Sequence, residues 1–184
     1  MRISNNYYLI VDVEATCSDD GAVPRPEMEI IEIGAVMQNS HTFQVESEFQ
    51  TFIRPVRHPQ LTPFCTTLTG IVQADLVHAP PFPEALEAMK EWMYGFEDAL
   101  FCSWGDYDRS QFQRDCDYHR VSYPFRSGHL NLKAEFSEFS GRRKKLGLAE
   151  AVRSLGLQFE GSHHRGIDDA RNIARVVSHT CIGA

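Results

Sequence analysis

Four short apolar runs, each bounded by polar or turn-forming residues, predict four β-strands. The first run is rich in β-branched and aromatic residues, as buried strands are. The connections between the first three runs are too short for helical crossovers, so these strands are expected to form an antiparallel meander. The predicted strands cover residues 7–13, 30–37, about 42–53, and 99–104.

Apolar residues then recur at helical spacing through most of the second half of the chain. The clearest helix begins at Phe82, and its position before the fourth strand predicts that this strand runs parallel to the first. Gly156 is expected to end a later helix in the left-handed conformation. The predicted helices cover about residues 63–67, a segment from 82 onward, 108–119, 131–139, 148–155 and 168–180. This order indicates a mixed α/β sheet covered by helices, in a single domain over residues 1–184.

The composition is that of an ordinary globular protein, with 42% apolar and 23% charged residues. No apolar run approaches the roughly 18 residues of a membrane span, and the first residues lack the apolar core of a signal peptide. The five cysteines are odd in number and contain no Cys-x-x-Cys pair, which suits a reducing compartment. We therefore expect a cytoplasmic protein without a membrane partner.

The formal net charge of −7 at first argues against a polyanionic partner. Bound divalent cations would reverse the local potential wherever carboxylates converge, so the objection is weak. One basic stretch, residues 142–145, is either a solvated loop or a contact for phosphate groups. Charge alone does not decide the partner, and no surface in the sequence identifies an oligomeric state.

Candidate carboxylates lie at the ends of predicted elements. Asp12 and Glu14 are two apart on the first strand, so both side chains face one side of it. They would repel each other strongly unless a cation lay between them. Asp108 follows the fourth strand where a helix begins; it could equally be a helix N-cap, and Asp106 competes for that position.

A histidine and a further carboxylate, His164 and Asp169, are five residues apart before the last helix. Both could face one cleft if Asp169 lay in the first turns of that helix. His163 and Asp168 have the same spacing, and either aspartate could instead serve the helix dipole. Four hard oxygen ligands and one base are what a two-metal phosphodiesterase site needs.

The combined pattern of Asp12-x-Glu14, then Asp108, then His164-x4-Asp169 resembles the DEDDh class of 3′→5′ exonucleases, the superfamily of ribonuclease T and the polymerase proofreading subunits. The sequences that flank these residues resemble those of the branch that trims the 3′ ends of histone mRNA, small interfering RNA and ribosomal RNA. The resemblance runs from about Tyr7 to Val177, and it implies a ribonuclease H-like fold with a mixed five-stranded sheet, an antiparallel meander plus parallel strands, flanked by helices. These flanking sequences are Asp12-Val13-Glu14-Ala15-Thr16-Cys17, Glu29-Ile30-Ile31-Glu32, Phe64-Cys65 with Leu68-Thr69-Gly70-Ile71, and Gly166-Ile167-Asp168-Asp169-Ala170-Arg171-Asn172-Ile173-Ala174-Arg175.

The resemblance also implies roles for individual residues. His164 would be the general base that takes a proton from an attacking water. The family's last aspartate directly precedes a small residue, here Ala170, which favours Asp169 and His164 over their neighbours. The carboxylates that would hold two Mg²⁺ or Mn²⁺ ions are Asp12, Glu14, Asp108 and Asp169.

Substrate contacts follow from the same resemblance. Phe64 and Tyr107 occupy the positions where two aromatic rings sandwich the terminal base, although family members often have tryptophan in place of the tyrosine. Leu68 would wedge beside the base. Backbone groups of Ala15 and Thr16 would meet the sugar.

The resemblance implies a metal-dependent 3′→5′ exonuclease that removes nucleoside 5′-monophosphates from single-stranded RNA or DNA 3′ ends or overhangs. Within that class, a DNA-directed enzyme of the proofreading or repair type is the alternative, and the sequence does not discriminate RNA from DNA. A catalytically silent nucleic-acid-binding module would be expected to have lost a carboxylate. A hydrolase that clears very short oligonucleotides remains a third possibility.

Overall fold

A five-stranded mixed sheet forms the centre of the computed structural model, which describes residues 5–182. The strand order is β3-β2-β1-β4-β5. The first three strands pair antiparallel, whereas β4 is parallel to both β1 and β5. The predicted meander and the parallel fourth strand are therefore confirmed. The strands are β1 (Tyr7–Ala15), β2 (Ile30–Asn39), β3 (Val45–Phe52), β4 (Ala99–Ser103) and β5 (His129–Asn131).

Seven α-helices and one short 3-10 helix, Arg25–Glu27, accompany the sheet within the described residues. Each predicted helix is present, and Gly156 follows the sixth with a φ of +75°, as expected. None of the helices in residues 5–182 is long and apolar enough to cross a membrane. The helices are α1 (Pro63–Thr69), α2 (Gln73–Leu76), α3 (Phe82–Met93), α4 (Tyr107–His119), α5 (Leu132–Phe139), α6 (Leu148–Ser154) and α7 (Gly166–Thr180).

The helices cover both faces of the sheet, and the alternation of side chains along β1 shows how. Val11 and Val13 point into the layer that contains α3 and α4. Ile10 points to the opposite layer, which contains α5, α6 and α7. Asp12 and Glu14 lie two and four residues after Ile10 on the same strand, so their side chains point to the same face as Ile10, the α7 side of the sheet.

The structure differs from the prediction mainly at the element ends. β1 continues to Ala15 because β2 pairs with it that far, with a register shift between Glu14 and Ala15. Residues 42–44 belong to the connection between β2 and β3 and not to β3, since the Asn39 side chain accepts hydrogen bonds from the N–H groups of His41 and Thr42 and holds a turn there. β5 has only three residues, none of them fully buried, and the apolar pattern did not locate it.

Candidate active site

The end of β1 places two carboxylates where the sheet is open. β4 stops at Ser103, and its pairing with β1 ends at Ile10, so no strand of residues 5–182 pairs with β1 on that side beyond Ile10. Asp108, in the first turn of α4, fills this edge: its Oδ1 accepts a hydrogen bond from the Val13 N–H at 3.1 Å. This hydrogen bond joins the end of β1 to the start of α4, next to Asp12 and Glu14.

The start of α7 supplies the fourth carboxylate from the other layer. Asp169 lies in the first turn of this helix and is only 3% exposed. Its Oδ2 accepts a hydrogen bond from the His164 N–H at 2.9 Å. His164 has a φ of +67°, a left-handed conformation that turns the chain into the helix. The other oxygen of Asp169, Oδ1, is buried with no hydrogen-bond partner among the described residues.

These side chains share one cleft of about 440 Å³. Asp12, Glu14 and Asp169 each offer one oxygen atom, and the three atoms lie within 4.8 Å of one another. Asp108 lines the same cleft, as do His163 and His164. The fold therefore brings together all five residues that the sequence predicts for catalysis, although they come from three separate regions of the chain.

The carboxylates of the cleft hold protons unusually tightly. Burial, together with Asp169, Glu32 and Asp108 nearby, raises the pKa of Glu14 to about 9. Burial also raises the pKa of Asp169 to about 7 and that of Asp108 to about 6. The pKa of Asp12 is raised well above its ordinary value by burial and by the surrounding carboxylates. The four groups therefore cannot all ionise easily unless a cation compensates their charge, and hard oxygen ligands of this kind suit Mg²⁺ or Mn²⁺.

Both candidate histidines reach the cleft. Their ring centroids are 4.0 Å apart, and each could share a cation with Asp169. The His163 ring lies parallel to Phe159 at 5.3 Å, and its Nδ1 is 3.6 Å from Oδ2 of Asp169. Burial lowers the pKa of both histidines, and the charges of His164 and Arg153 lower that of His163 further. The position of the rings leaves both histidines open as the base.

The competing aspartates lie outside the cleft. Asp106 is exposed, accepts a hydrogen bond from Asn131 and pairs with Arg109. Asp168 accepts a hydrogen bond from the Ser162 N–H and pairs with Arg171. If Asp106 replaced Asp108 in the site, or Asp168 replaced Asp169, one of the four carboxylates would lie away from the other three.

The predicted substrate residues divide into two groups. Ala15, Leu68 and Tyr107 line the cleft, and the last two side chains are well exposed. Thr16 is buried, and its N–H donates to the carbonyl of Glu29 at 2.8 Å, so this N–H has no capacity left for a sugar. Phe64 is exposed but lines a neighbouring recess.

Sequence reasoning missed the residue that joins α7 to the sheet. Glu32 lies on β2 directly opposite Glu14 on β1, and its side chain is fully buried. It accepts hydrogen bonds from the Arg165 side chain at 3.1 Å, from the Gly166 N–H at 3.1 Å, and from Gln50 at 3.1 Å. A single glutamate inside the apolar run 30–33 is the signal that was available, because a buried charge needs a partner.

The two glycines at this junction let the backbones meet. A Cβ at Gly34 would overlap the backbone of Gly166 and Ile167. A Cβ at Gly166 would lie 3.0 Å from the carbonyl oxygen of Asp12. The start of α7 is therefore in direct contact with β1 and β2, which brings His164 and Asp169 to Asp12.

Relatives of known structure share this architecture. The nuclease domain of 3′hExo, described as a DEDDh family member bound to rAMP, superposes with a TM-score of 0.88 at 32% identity, over 97% of this chain and 92% of that one. A 3′-exonuclease whose structure concerns 3′-end recognition of the histone mRNA stem-loop superposes with a TM-score of 0.87 at 32% identity, over 95% of this chain and 63% of that one. The fold is thus of the ribonuclease H-like DEDDh exonuclease class, as the resemblance implied.

The sequence profile of the RNase T exonuclease family matches residues 9–177, and the chain belongs to this family. Human ERI1 exoribonuclease 3 is 38% identical over 180 residues, which are 94% of this chain and 52% of the relative. The chain thus spans about half the length of the curated relatives it matches. The DEDDh identification, including its likeness to the branch that acts on histone mRNA, is confirmed.

Proposed function

We propose that this chain is a divalent-metal-dependent 3′→5′ exoribonuclease that releases nucleoside 5′-monophosphates from single-stranded 3′ ends or short overhangs. One observation carries the proposal: oxygen atoms of Asp12, Glu14 and Asp169 converge within 4.8 Å, in a cleft that Asp108 also lines. Family membership supports the reaction class. The name of the human exoribonuclease relative and the rAMP bound to 3′hExo support RNA as the substrate.

The residues of the cleft fit the metal ions that this reaction class implies. Asp169 Oδ1 is a buried acceptor that meets no donor in the described part of the chain, and the cleft carboxylates repel one another. Both features are relieved by a hard cation. Bound Mg²⁺ or Mn²⁺ would supply charge stabilisation at phosphorus and a lowered pKa for an attacking water. In the proposal, Asp12, Glu14, Asp108 and Asp169 hold two such ions.

His164 is the proposed general base. Because burial lowers its pKa, its imidazole is neutral near pH 7, and a ring nitrogen can accept the proton of the attacking water. The hydrogen bond from its backbone N–H to Asp169 fixes its position relative to the carboxylates. His163, stacked on Phe159, is the proposed neighbour that orients the loop.

Tyr107 and Leu68 are the proposed contacts of the terminal base. Both are exposed in the cleft, and stacking on an aromatic ring tolerates any base at a gain of about 1–3 kcal/mol. Ala15 lies at the same wall. Thr16 would have to meet the sugar through its carbonyl, because its N–H is already bonded to Glu29. Phe64 would act only on a substrate that reaches into the neighbouring recess.

Replacement of one metal ligand tests the function. We expect Asp12→Ala to abolish the metal-dependent release of mononucleotides from a 3′-labelled RNA, while the circular dichroism spectrum stays that of the wild type. Asp106→Ala is the matched control, since this carboxylate lies outside the cleft and should leave the rate unchanged. Undiminished release by the Asp12 variant would refute the site.

The choice between the two histidines has its own test. His164→Ala should lower kcat by about 10²–10⁴-fold, the usual contribution of a general base, with Mg²⁺ affinity largely retained. His163→Ala should cost much less. The opposite ranking would transfer the proposed role to His163, and equal small effects would contradict a histidine base.

Matched oligonucleotides test the substrate. We expect single-stranded RNA and stem-overhang RNA to be degraded faster than DNA of the same sequence, with Mg²⁺ and with Mn²⁺. Faster degradation of DNA would instead favour an enzyme of the proofreading or repair type.

A further inference from the structure

Four consecutive cations, Arg142–Lys145, form a surface that the proposed reaction does not use; we call it the basic loop. All four residues are exposed. The contacts that this loop makes within residues 5–182 involve its backbone, such as the Arg142 N–H donating to the carbonyl of Ser137. None of the four side chains forms an ion pair with the described residues.

The basic loop runs directly into a wall of the catalytic cleft. Leu146 follows it, is buried, and accepts a hydrogen bond from the Trp104 side chain through its carbonyl at 3.2 Å. Trp104, Gly147 and Leu148 all line the cleft. Two residues of extended chain span at most about 7 Å, so the Lys145 backbone lies that close to the cleft wall.

The charges around the cleft are unequal. On the side of the basic loop, Arg153 in α6 is also exposed without an ion pair in the described chain, and its charge acts on His163. The recess beside Phe64, in contrast, is lined by Asp19 and Asp20. A polyanionic strand that leaves the cleft is repelled by these carboxylates and attracted by the cations of the basic loop and by Arg153.

The direction of the reaction identifies the occupant of this surface, so the inference depends on the proposed function. An exonuclease that removes the 3′-terminal nucleotide has only the 5′ portion of its substrate outside the cleft. We propose that the basic loop binds the phosphodiester backbone of the RNA strand on the 5′ side of the terminal nucleotide. The loop thereby holds longer substrates and contributes nothing to very short ones.

Equilibrium binding of a labelled 20-nucleotide single-stranded RNA, in EDTA so that no strand is cut, tests this surface. Arg143→Gln/Lys144→Gln should weaken binding roughly 10- to 30-fold at 0.1 M salt, and the slope of log K against log salt should fall by about 1.4. The matched control is Lys90→Gln/Arg126→Gln, which removes the same charge from a recess that both residues line away from the catalytic cleft. The control variant should change neither the affinity for the RNA nor the slope of log K against log salt.

A dinucleotide substrate provides the second half of the test. Its kcat/KM should be the same for the loop variant and the wild type, because a dinucleotide without a 5′ phosphate has no phosphodiester on the 5′ side of the one that is cleaved. The proposal would be overturned if the loop variant bound the 20-nucleotide RNA as tightly as the control variant, or if the wild type did not bind it. It would also be overturned if the loop variant lost as much kcat/KM on the dinucleotide as it lost affinity for the long RNA.

The binding assay also separates the two proposals. Wild-type protein that binds the long RNA through the loop but releases no nucleotides would refute the exonuclease activity and leave the surface standing. Wild-type protein that degrades RNA, with a loop variant that matches the control, would refute the surface alone.

Discussion

Two groups of buried carboxylates in this protein have opposite surroundings. Glu29 accepts hydrogen bonds from three successive backbone N–H groups, at residues 56–58, with distances of 2.8–2.9 Å. Glu32 accepts from Arg165, Gly166 and Gln50. In the cleft, burial and neighbouring acidic groups raise the pKa of Asp12 and Glu14, and no hydrogen bond to either carboxyl from residues 5–182 offsets this. Asp169 Oδ1 has no hydrogen-bond partner among the same residues.

This difference separates a structural acid from a candidate metal ligand. Both groups are removed from water, so burial alone does not distinguish them. A donor-rich carboxylate stabilises the fold as an anion, whereas donor-poor carboxylates that face one another destabilise it until a cation binds. The number of donors therefore indicates the role, and it gives the two groups opposite responses to mutation.

Loss of a donor-rich carboxylate should have the largest effect on stability. We expect Glu32→Ala to lower the free energy of unfolding by about 3–5 kcal/mol, because Arg165 and the Gly166 N–H lose a buried partner. Urea denaturation measures this. Glu48→Ala, which breaks the more exposed pair with Arg171, is the control and should cost under about 1 kcal/mol. Equal effects of the two changes would remove the distinction between the groups.

Loss of a donor-poor carboxylate should act in the opposite direction. Glu14→Gln should raise the free energy of unfolding of the metal-free protein at pH 8 by about 1–2 kcal/mol, since the raised pKa of Glu14 favours the unfolded state, in which this carboxyl ionises freely. The same variant should gain less stability from Mg²⁺ than the wild type does. Melting curves with EDTA and with Mg²⁺ compare the two proteins. A destabilised metal-free variant would mean that Glu14 belongs with the structural acids.

The pH dependence of stability gives the most general contrast, because it involves all the cleft carboxylates together. A carboxylate with a raised pKa binds its proton more tightly when folded, so its contribution is favourable below the unfolded pKa and is lost as pH rises through the folded pKa. For the cleft these values are about 6, about 7 and about 9 for Asp108, Asp169 and Glu14. Metal-free protein should therefore lose about 1 kcal/mol per pH unit for each of these groups that is still protonated in the folded state, so the loss is steepest between pH 5 and pH 6 and ends near pH 9. Saturating Mg²⁺ should flatten the curve; a rising curve without metal would contradict the assignment.

Local pattern was sufficient for the elements that carry the site. The β-branched run of β1 and the apolar stripe of α7 are long and periodic, so both elements were predictable. β5 was not, because three residues carry no period, and the strand exists by pairing with β4. The order of the five catalytic candidates was readable as well, since their spacing resembles a known family.

What the sequence could not provide is the contact between distant segments. His163 and His164 are equivalent by spacing, and the fold places both rings at the cleft. Phe64 follows the family pattern, yet its side chain lies in the adjacent recess, which only the packing of α1 determines. The role of Glu32 depends on Arg165 and Gly166, 133 and 134 residues further along the chain, and no local signal joins them.

The glycine contact between β2 and α7 has a consequence for inherited variation. Gly34 carries no reactive atom, but any side chain there would push the start of α7 away from the sheet and separate Asp169 from Asp12. In a mutational scan scored by activity, Gly34 is therefore expected to be as intolerant as the carboxylates themselves. Loss-of-function alleles of this protein need not touch its chemistry.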